Sequence, residues 1–244
     1  MRFIPFASRN LKELLRDPLT IIFCVGFPVI LLLLFYLIQT NIPVSLFEMP
    51  TLAPGIAVFG LSFITLFAGS LLSKDRTSSF LMRLYTTPLT SFDFILGYIL
   101  PLIPIAVAQS IICFAVAILL GLPFDPNLLL TLAALLPTAF LFIGIGLLLG
   151  SLVGDKAVGG ISSILINVAA WLSGIWFDVK LVGGAFETVS RLLPFAHAVD
   201  AARAAATGNY SEIMSHLWWV IGYAVIILAA AIFVFGWKIK RQNG

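Results

Sequence analysis

From Ile213 to Trp237 the chain reads IMSHLWWVIGYAVIILAAAIFVFGW, a run without a single Asp, Glu, Lys or Arg. A helix crosses the roughly 30 Å hydrocarbon layer of a bilayer with about 20 apolar residues, so this stretch is long enough to span a membrane. Glu212 closes it on one side and Lys238, Lys240 and Arg241 on the other. Ile226 to Phe235 is apolar on every face, as Ile30 to Leu34 is earlier in the chain. The strands of a membrane barrel alternate in polarity over about ten residues, and these runs do not. Backbone amides in lipid must be satisfied within the segment, so the run reads as a helix.

The same test applied to the rest of the chain gives six charge-free windows, at 18–47, 49–73, 94–124, 126–154, 157–177 and 213–237. Composition agrees: 61% of the residues are hydrophobic and 10% charged, against about 25% charged in a soluble domain. The expected fold is an all-α integral membrane protein with six transmembrane helices. Pro101 and Pro104 favour a bend in the third, and Gly144, Gly146 and Gly150 let a neighbour approach the fourth closely. No repeat relates the first three helices to the last three, which weakens an inverted-repeat secondary transporter.

Charge sets the orientation. With the N-terminus in the cytoplasm, all but Lys180, Arg191 and Arg203 of the 14 basic residues fall inside, as the positive-inside rule requires. An even number of spans returns the C-terminus to the same side, giving a multi-pass protein of the cell (plasma) membrane. The net charge of +3 is too small to suggest a nucleic-acid partner. Cys24 and Cys113 lack C-x-x-C spacing and read as apolar packing residues. No cleavable signal peptide is expected, because a charged segment precedes a first apolar run long enough to remain as a span.

Residues 2–17 read as an amphipathic helix on the inner leaflet, or equally as a plain basic anchor. Phe3, Ala7, Leu11, Leu14 and Leu15 fall on one face, and Arg9, Lys12, Glu13 and Arg16 on the other; Pro5 suits the first turn and Pro18 closes it. At the other side of the membrane, segment 178–212 is the longest external connection and is only moderately apolar, and neither of its halves is long enough to span. Pro194 divides it into two short helical stretches, Val182 to Leu193 and Phe195 to Ala206, which dip into or lie on the outer boundary.

Most catalytic chemistry is excluded. A P-loop needs Gly before its Lys, and no lysine here follows a Gly. A zinc protease needs two His four apart on a helix, whereas the only histidines are His197 and His216. A membrane serine hydrolase would have to pair Ser173 with His197 or His216. No span carries a charge near its middle, which argues against a proton-coupled pump. The polar residues that sit there are Ser62, Thr65, Gln109 and Asn167, which either bond neighbouring helices or line a path. Phe59, Phe63, Trp171 and Trp176 would give such a path aromatic walls.

The loop after the second window reads Lys74-Asp75-Arg76-Thr77-Ser78-Ser79-Phe80-Leu81-Met82-Arg83-Leu84-Tyr85-Thr86-Thr87-Pro88-Leu89. Phe80, Leu81, Leu84 and Tyr85 share one face of a short helix that must end before Pro88. Ser91 is positioned to cap the third span, with Asp93 in its first turn. A rigid amphipathic helix at this place is a handle by which a soluble motor could move two spans.

These features together resemble the ABC-2 type permease family, the transmembrane subunits of ATP-binding cassette exporters. The resemblance spans 1–244 as one permease domain. It rests on the elbow helix at 2–17, Pro54-Gly55 at the mouth of the second span, Leu84-x-x-Thr87-Pro88-Leu89, and Leu193 to Arg203, where a Pro and a downstream Arg precede the last span. The family usually has a Glu and a Gly early in the loop; here Asp75 takes the acidic place and the Gly position is Ser78 or absent. The resemblance implies a transport subunit rather than an enzyme. It would work as a dimer with a second copy or a paralogous permease, over two cassette ATPase subunits that carry the ATP and Mg, with no cofactor in this chain.

On this resemblance the loop 74–89 couples to the ATPase through Asp75, Arg76, Phe80, Arg83, Leu84, Thr87, Pro88 and Leu89. The substrate passes between the first, second and fifth helices of the two halves, past Phe59, Ser62, Phe63, Thr65, Asn167 and Trp171. The external segment 178–212 gates the exit through Pro194, His197, Asp200 and Arg203. Apolar, aromatic walls suit a drug-like, antibiotic or lipid-like amphiphile, as in multidrug efflux. The competing expectations are the Ser/His hydrolase and a non-catalytic membrane scaffold.

Overall fold

The computed structural model describes residues 3–42, 47–77 and 90–242, and every regular element among them is helical. Helix α1 (Ile4–Arg16) has Pro5 in its first turn and ends where Asp17 turns extended, ahead of Pro18. Its buried residues are Phe6, Ala7, Asn10 and Leu14. Leu15, expected on the apolar face, is 54% exposed. The face differs because α1 leans on another helix, α4 (Ser91–Leu119). The Phe6 ring meets Tyr98 edge-on at 4.9 Å, and Asn10 Nδ2 donates to the Gly97 carbonyl at 3.0 Å. Gly97 is glycine for a reason: a Cβ there would strike the Phe6 ring.

Asp17 begins α2 (Pro18–Asn41) by accepting from Leu19 N at 3.3 Å and Thr20 Oγ1 at 2.9 Å. A π-helical turn, Ile22–Gly26, interrupts it just ahead of Pro28. Helix α3 (Met49–Thr77) is interrupted at Phe63, between Ser62 and Ile64, where Phe63 N donates to Gly60 O at 3.3 Å. α4 runs without interruption through Pro101 and Pro104. Its cap is Thr90 rather than Ser91. Thr90 Oγ1 accepts from Asp93 N at 3.2 Å while the Asp93 carboxylate accepts from Thr90 N at 3.0 Å, a reciprocal box that needs the two residues three apart.

Helices α5 (Asn127–Leu152) and α6 (Asp155–Leu172) follow, and the last, α10, runs over Tyr210–Gln242. Five of the described helices, α2 to α5 and α10, are long and apolar enough to cross a membrane. α6 is not among those five. It spans 18 residues with Asp155 in its first turn, and it stops at Leu172, where the apolar window continued to 177, because Gly174 turns the chain with φ +72°. Between α6 and α10 lie α7 (Val179–Val182), α8 (Gly184–Leu192) and α9 (Pro194–Ala206). The two expected short helices are therefore present, with one further turn ahead of them.

Helix α3 is the centre of the bundle: 83% of its apolar window is buried, against 17% for α2 and for α10. Glycines bring α5 against it. A Cβ on Gly146 would collide with the Thr65 carbonyl, and one on Gly150 would lie 2.5 Å from Gly69 O. Thr65 Oγ1 donates across this contact to Phe142 O at 3.0 Å. Gly144 faces Leu228 and Ile227 of α10 instead. The bundle thus has a near end, with α1, the C-terminal turns of α3, α5 and α10 and the start of α6, and a far end roofed by α7 to α9.

Candidate functional site

The aromatic residues of α2 and α3 meet in one seam. On α2, Phe23 and Phe27 follow each other at a helical turn; on α3, Phe59 and Phe63 do the same. Phe63 stacks on Phe23 at 5.8 Å and meets Phe27 edge-on at 5.5 Å. Phe59 and Phe63 are 5.2 Å apart. The seam continues from Phe59 to Trp176 at 5.5 Å, then to Phe35 at 5.2 Å and Phe47 at 4.7 Å. Such pairs add about 0.5–1.5 kcal/mol each beyond burial. Phe59 and Phe63 are thus brought together as expected, with partners on α2 that sequence alone did not single out.

The polar candidates are spent on the backbone. Ser62 Oγ donates to Phe59 O at 2.6 Å, and Gln109 Nε2 reaches Ala57 O at 3.4 Å. Asn167 and Trp171 are not part of the seam. α6 turns Ser162, Ile166, Ala169 and Ala170 into the bundle, while Ser163, Asn167 and Trp171 lie on its exposed side. Asn167 Nδ2 donates to Ser163 O at 2.9 Å. This exposed stripe, repeating every four residues, interrupts a surface that is otherwise apolar through Ile164 and Val168.

At the far end, α9 carries all four expected gate residues. Pro194 opens the helix. Arg203 donates to Thr51 O at 3.0 Å, Gly174 O at 3.1 Å and Ile175 O at 3.4 Å, tying α9 to the start of α3 and the turn after α6. Asp200 accepts from Arg191 at 2.6 Å. His197 Nε2 lies 2.9 Å from Arg191 O, and its Nδ1 lies 2.8 Å from His216 Nδ1. A carbonyl only accepts, so Nε2 of His197 carries the proton and its Nδ1 accepts from His216. Trp219 stacks under His197 at 5.1 Å. Burial lowers the His197 pKa, the Arg191 carbonyl raises it, His216 lowers it, Asp200 raises it and the Arg191 charge lowers it. A cleft of about 750 Å3 opens here, with Asp178, Lys180, Arg191, Asp200 and Glu212 in its walls.

The hydrolase geometry is not formed. Ser173 Oγ donates to Ala170 O at 3.0 Å, and the two histidines bond each other. Among the described residues no group of three or more His, Cys, Asp or Glu side chains is arranged to hold a metal ion.

At the near end, Asp75 and Arg76 are anchored within the chain. Asp75 is 3% exposed and accepts from Arg9 at 2.8 Å and from the Tyr98 hydroxyl at 2.9 Å. Arg76 donates to the carbonyls of Gly150, Ser151 and Val153, and Lys238 adds a bond to Leu152 O at 2.7 Å. Two cations thus cap the carbonyl end of α5, where the helix dipole favours them. Phe80, Arg83, Leu84, Thr87, Pro88 and Leu89 lie outside the described residues.

The profile of a family described as ABC-2 type transporter matches residues 3–206, from the residue before α1 to the end of α9. No individual curated protein matches the chain.

Proposed function

The chain belongs to the ABC-2 type transporter family, and from this membership, which makes it a multi-pass membrane subunit of an ABC transporter, we propose that it forms half of an export pathway driven by two ATPase subunits on separate chains. Those subunits bind the ATP and Mg. The partner half is a second copy or a paralogous permease, set against α2 and α6.

The exposed stripe of α6 carries this reading. With α6 taken as the sixth span, Asn167 is an exposed polar residue in its C-terminal half, beside the apolar Ile164 and Val168. Polar side chains at such depth face protein or a water-filled path rather than lipid. A second half across α6 would cover Ser163, Asn167 and Trp171 and bring them to the same path as the seam on α2 and α3. The seam's rings, with the nearby hydroxyls committed to carbonyls, favour a substrate with a large apolar body, so the drug-like, antibiotic or lipid-like amphiphile is retained. With α6 counted as a sixth span, the positive-inside rule puts both termini in the cytoplasm, and the membrane of this reading is the cell (plasma) membrane.

Coupling enters through 74–89. Asp75 and Arg76 serve it from inside: by fixing the end of α3, they set where the following loop meets the motor. ATP-driven approach of the two motors then shifts the pair of halves between inward and outward access.

The test is disulfide trapping in the membrane. With Cys24 and Cys113 replaced by Ala and a second copy as partner, Asn167→Cys, Ser163→Cys and Leu34→Cys, the last on the exposed side of α2, are each expected to yield a covalent dimer; with a paralogous partner the matching cysteine is placed in that chain. A chain that stays monomeric at all three positions, and that co-purifies with no ATPase, would overturn the reading.

A further inference from the structure

Between α1 and the end of α3 lies a groove of about 830 Å3, walled by Ser8, Arg9, Lys12, Glu13, Arg16, Asp17 and Lys74, within the size range of small-ligand sites. Its acids are already engaged. Glu13 pairs with Arg9 at 2.7 Å, Asp17 accepts from Leu19 N and Thr20 Oγ1 at the start of α2, and nearby Asp75 takes Arg9 and Tyr98. The side chains of Lys12, Arg16 and Lys74 have no partner among the described residues and are exposed. Three cations, two from α1 and one from the end of α3, converge on one groove.

We propose that this groove is a binding site for the phosphate of an anionic phospholipid, held by Lys12, Arg16 and Lys74 at the near end of the bundle. The occupant is a lipid rather than a soluble anion because of what adjoins the cations. Leu15, one turn from Lys12, is 54% exposed, and Leu19 and Ile22 continue at 55% and 53% onto α2, the least buried of the spans with α10. A headgroup in the groove therefore has an apolar surface beside it for its acyl chains. α1 is also amphipathic and immediately precedes a span, the kind of helix that lies among headgroups. Basic pockets beside membrane helices select anionic headgroups by this charge complementarity. The site is independent of the transported substrate.

The experiment is native mass spectrometry of the detergent-purified full chain, titrated separately with phosphatidylglycerol and phosphatidylcholine. Phosphatidylglycerol is expected to be retained in preference, with about fivefold weaker retention for each of Lys12→Gln, Arg16→Gln and Lys74→Gln. Lys156→Gln, at the same end but outside the groove, is expected to leave retention unchanged. Equal retention of the two lipids by the unaltered chain overturns the proposal without reference to any variant. So does loss of preference in Lys156→Gln equal to that in the groove variants, which would mark a general surface charge effect. Displacement of phosphatidylglycerol by an equal concentration of inorganic phosphate would assign the groove to a soluble anion instead.

Discussion

Arg9 and Asp75, separated by 66 residues, meet in a 2.8 Å ion pair whose carboxylate side chain is only 4% exposed. The pair joins the elbow helix to the end of the central helix, and Tyr98 brings α4 into the same contact.

Removing one partner leaves the other badly solvated. Arg9→Ala is expected to lower stability by about 3 kcal/mol, since breaking a buried pair costs roughly 3–5 kcal/mol and Arg9 itself is partly exposed. Asp75→Ala should cost less, because Arg9 is partly exposed and keeps Glu13 and Asn10, and the double variant less than the sum. Thermal unfolding in detergent measures all three; additive losses would show that the two groups do not interact.

Gly60 has no room for a methyl group. A Cβ there would strike Gln109 Nε2 and lie 2.8 Å from Pro28 Cγ. Gly60→Ala is expected to destabilise by about 1–3 kcal/mol through overpacking. Adding Gln109→Ala should recover part of the loss by removing the harder collision, while Gln109→Ala alone has no clash to relieve. Unfolding midpoints of the three variants check this.

The far end should loosen in acid. Burial sets the His197 pKa below its ordinary 6.5, with His216, Arg191 and Asp200 its titratable neighbours. The unfolded chain then binds the proton more readily than the folded one. The contribution of the neutral His197–His216 bond is full above pH 6.5 and is lost as pH falls below it towards the lowered folded value. A disulfide-trapping rate or spin-label distance between α9 and α10, followed from pH 7.5 to about pH 5, should report the loosening, and His197→Gln should flatten the profile.

Arg203 holds three carbonyls with one guanidinium. Arg203→Ala leaves Thr51, Gly174 and Ile175 oxygens without that donor and is expected to cost about 3 kcal/mol, given roughly 1.5–3 kcal/mol for a bond to a charged group. Arg203→Lys should recover less than half, because an ammonium lacks the planar fork. Unfolding midpoints measure stability, and hydrogen exchange of α9 localises the loss.

Long apolar windows made α2 to α5 and α10 legible from sequence, since spanning length and the absence of charge are one-dimensional properties. Pro5, Pro18 and Pro194 likewise marked where helices begin or end, because proline acts on its own backbone. The face of α1 was legible in part: Ala7 and Leu14 are buried and Leu11 packs against the core, as the periodicity has it. Leu15 looked buried by periodicity, but the partner is α4, and Phe6 and Asn10 are selected by the bare backbone at Gly97. The end of α6 was misplaced for a similar reason: the side chains to Phe177 stay apolar while Gly174 turns the backbone.

Within the site, Phe59 and Phe63 could be read from their spacing. Phe23 and Phe27 carry the same four-residue spacing on α2, with Phe35 two turns further on, and they could have been joined to the first pair only once the two helices were known to be neighbours. Arg191 had no local signal, and His216 stood out only as a possible hydrolase partner of Ser173, not as a neighbour of His197. Asp75 was expected to face a partner chain, and sequence offered nothing to reveal that Arg9 and Tyr98 already hold it.

The π-helical turn Ile22–Gly26 and the interruption at Phe63 belong to adjacent helices and face each other through the stacked Phe23 and Phe63 rings. Each helix is therefore jointed, and at a shared level. Irregular turns of this kind are where helices bend, because their backbone bonds are already rearranged. A push on the near end of α3 can swing the inner segments of both helices as a pair of forearms while the upper arms stay gripped by Arg203 and Trp176.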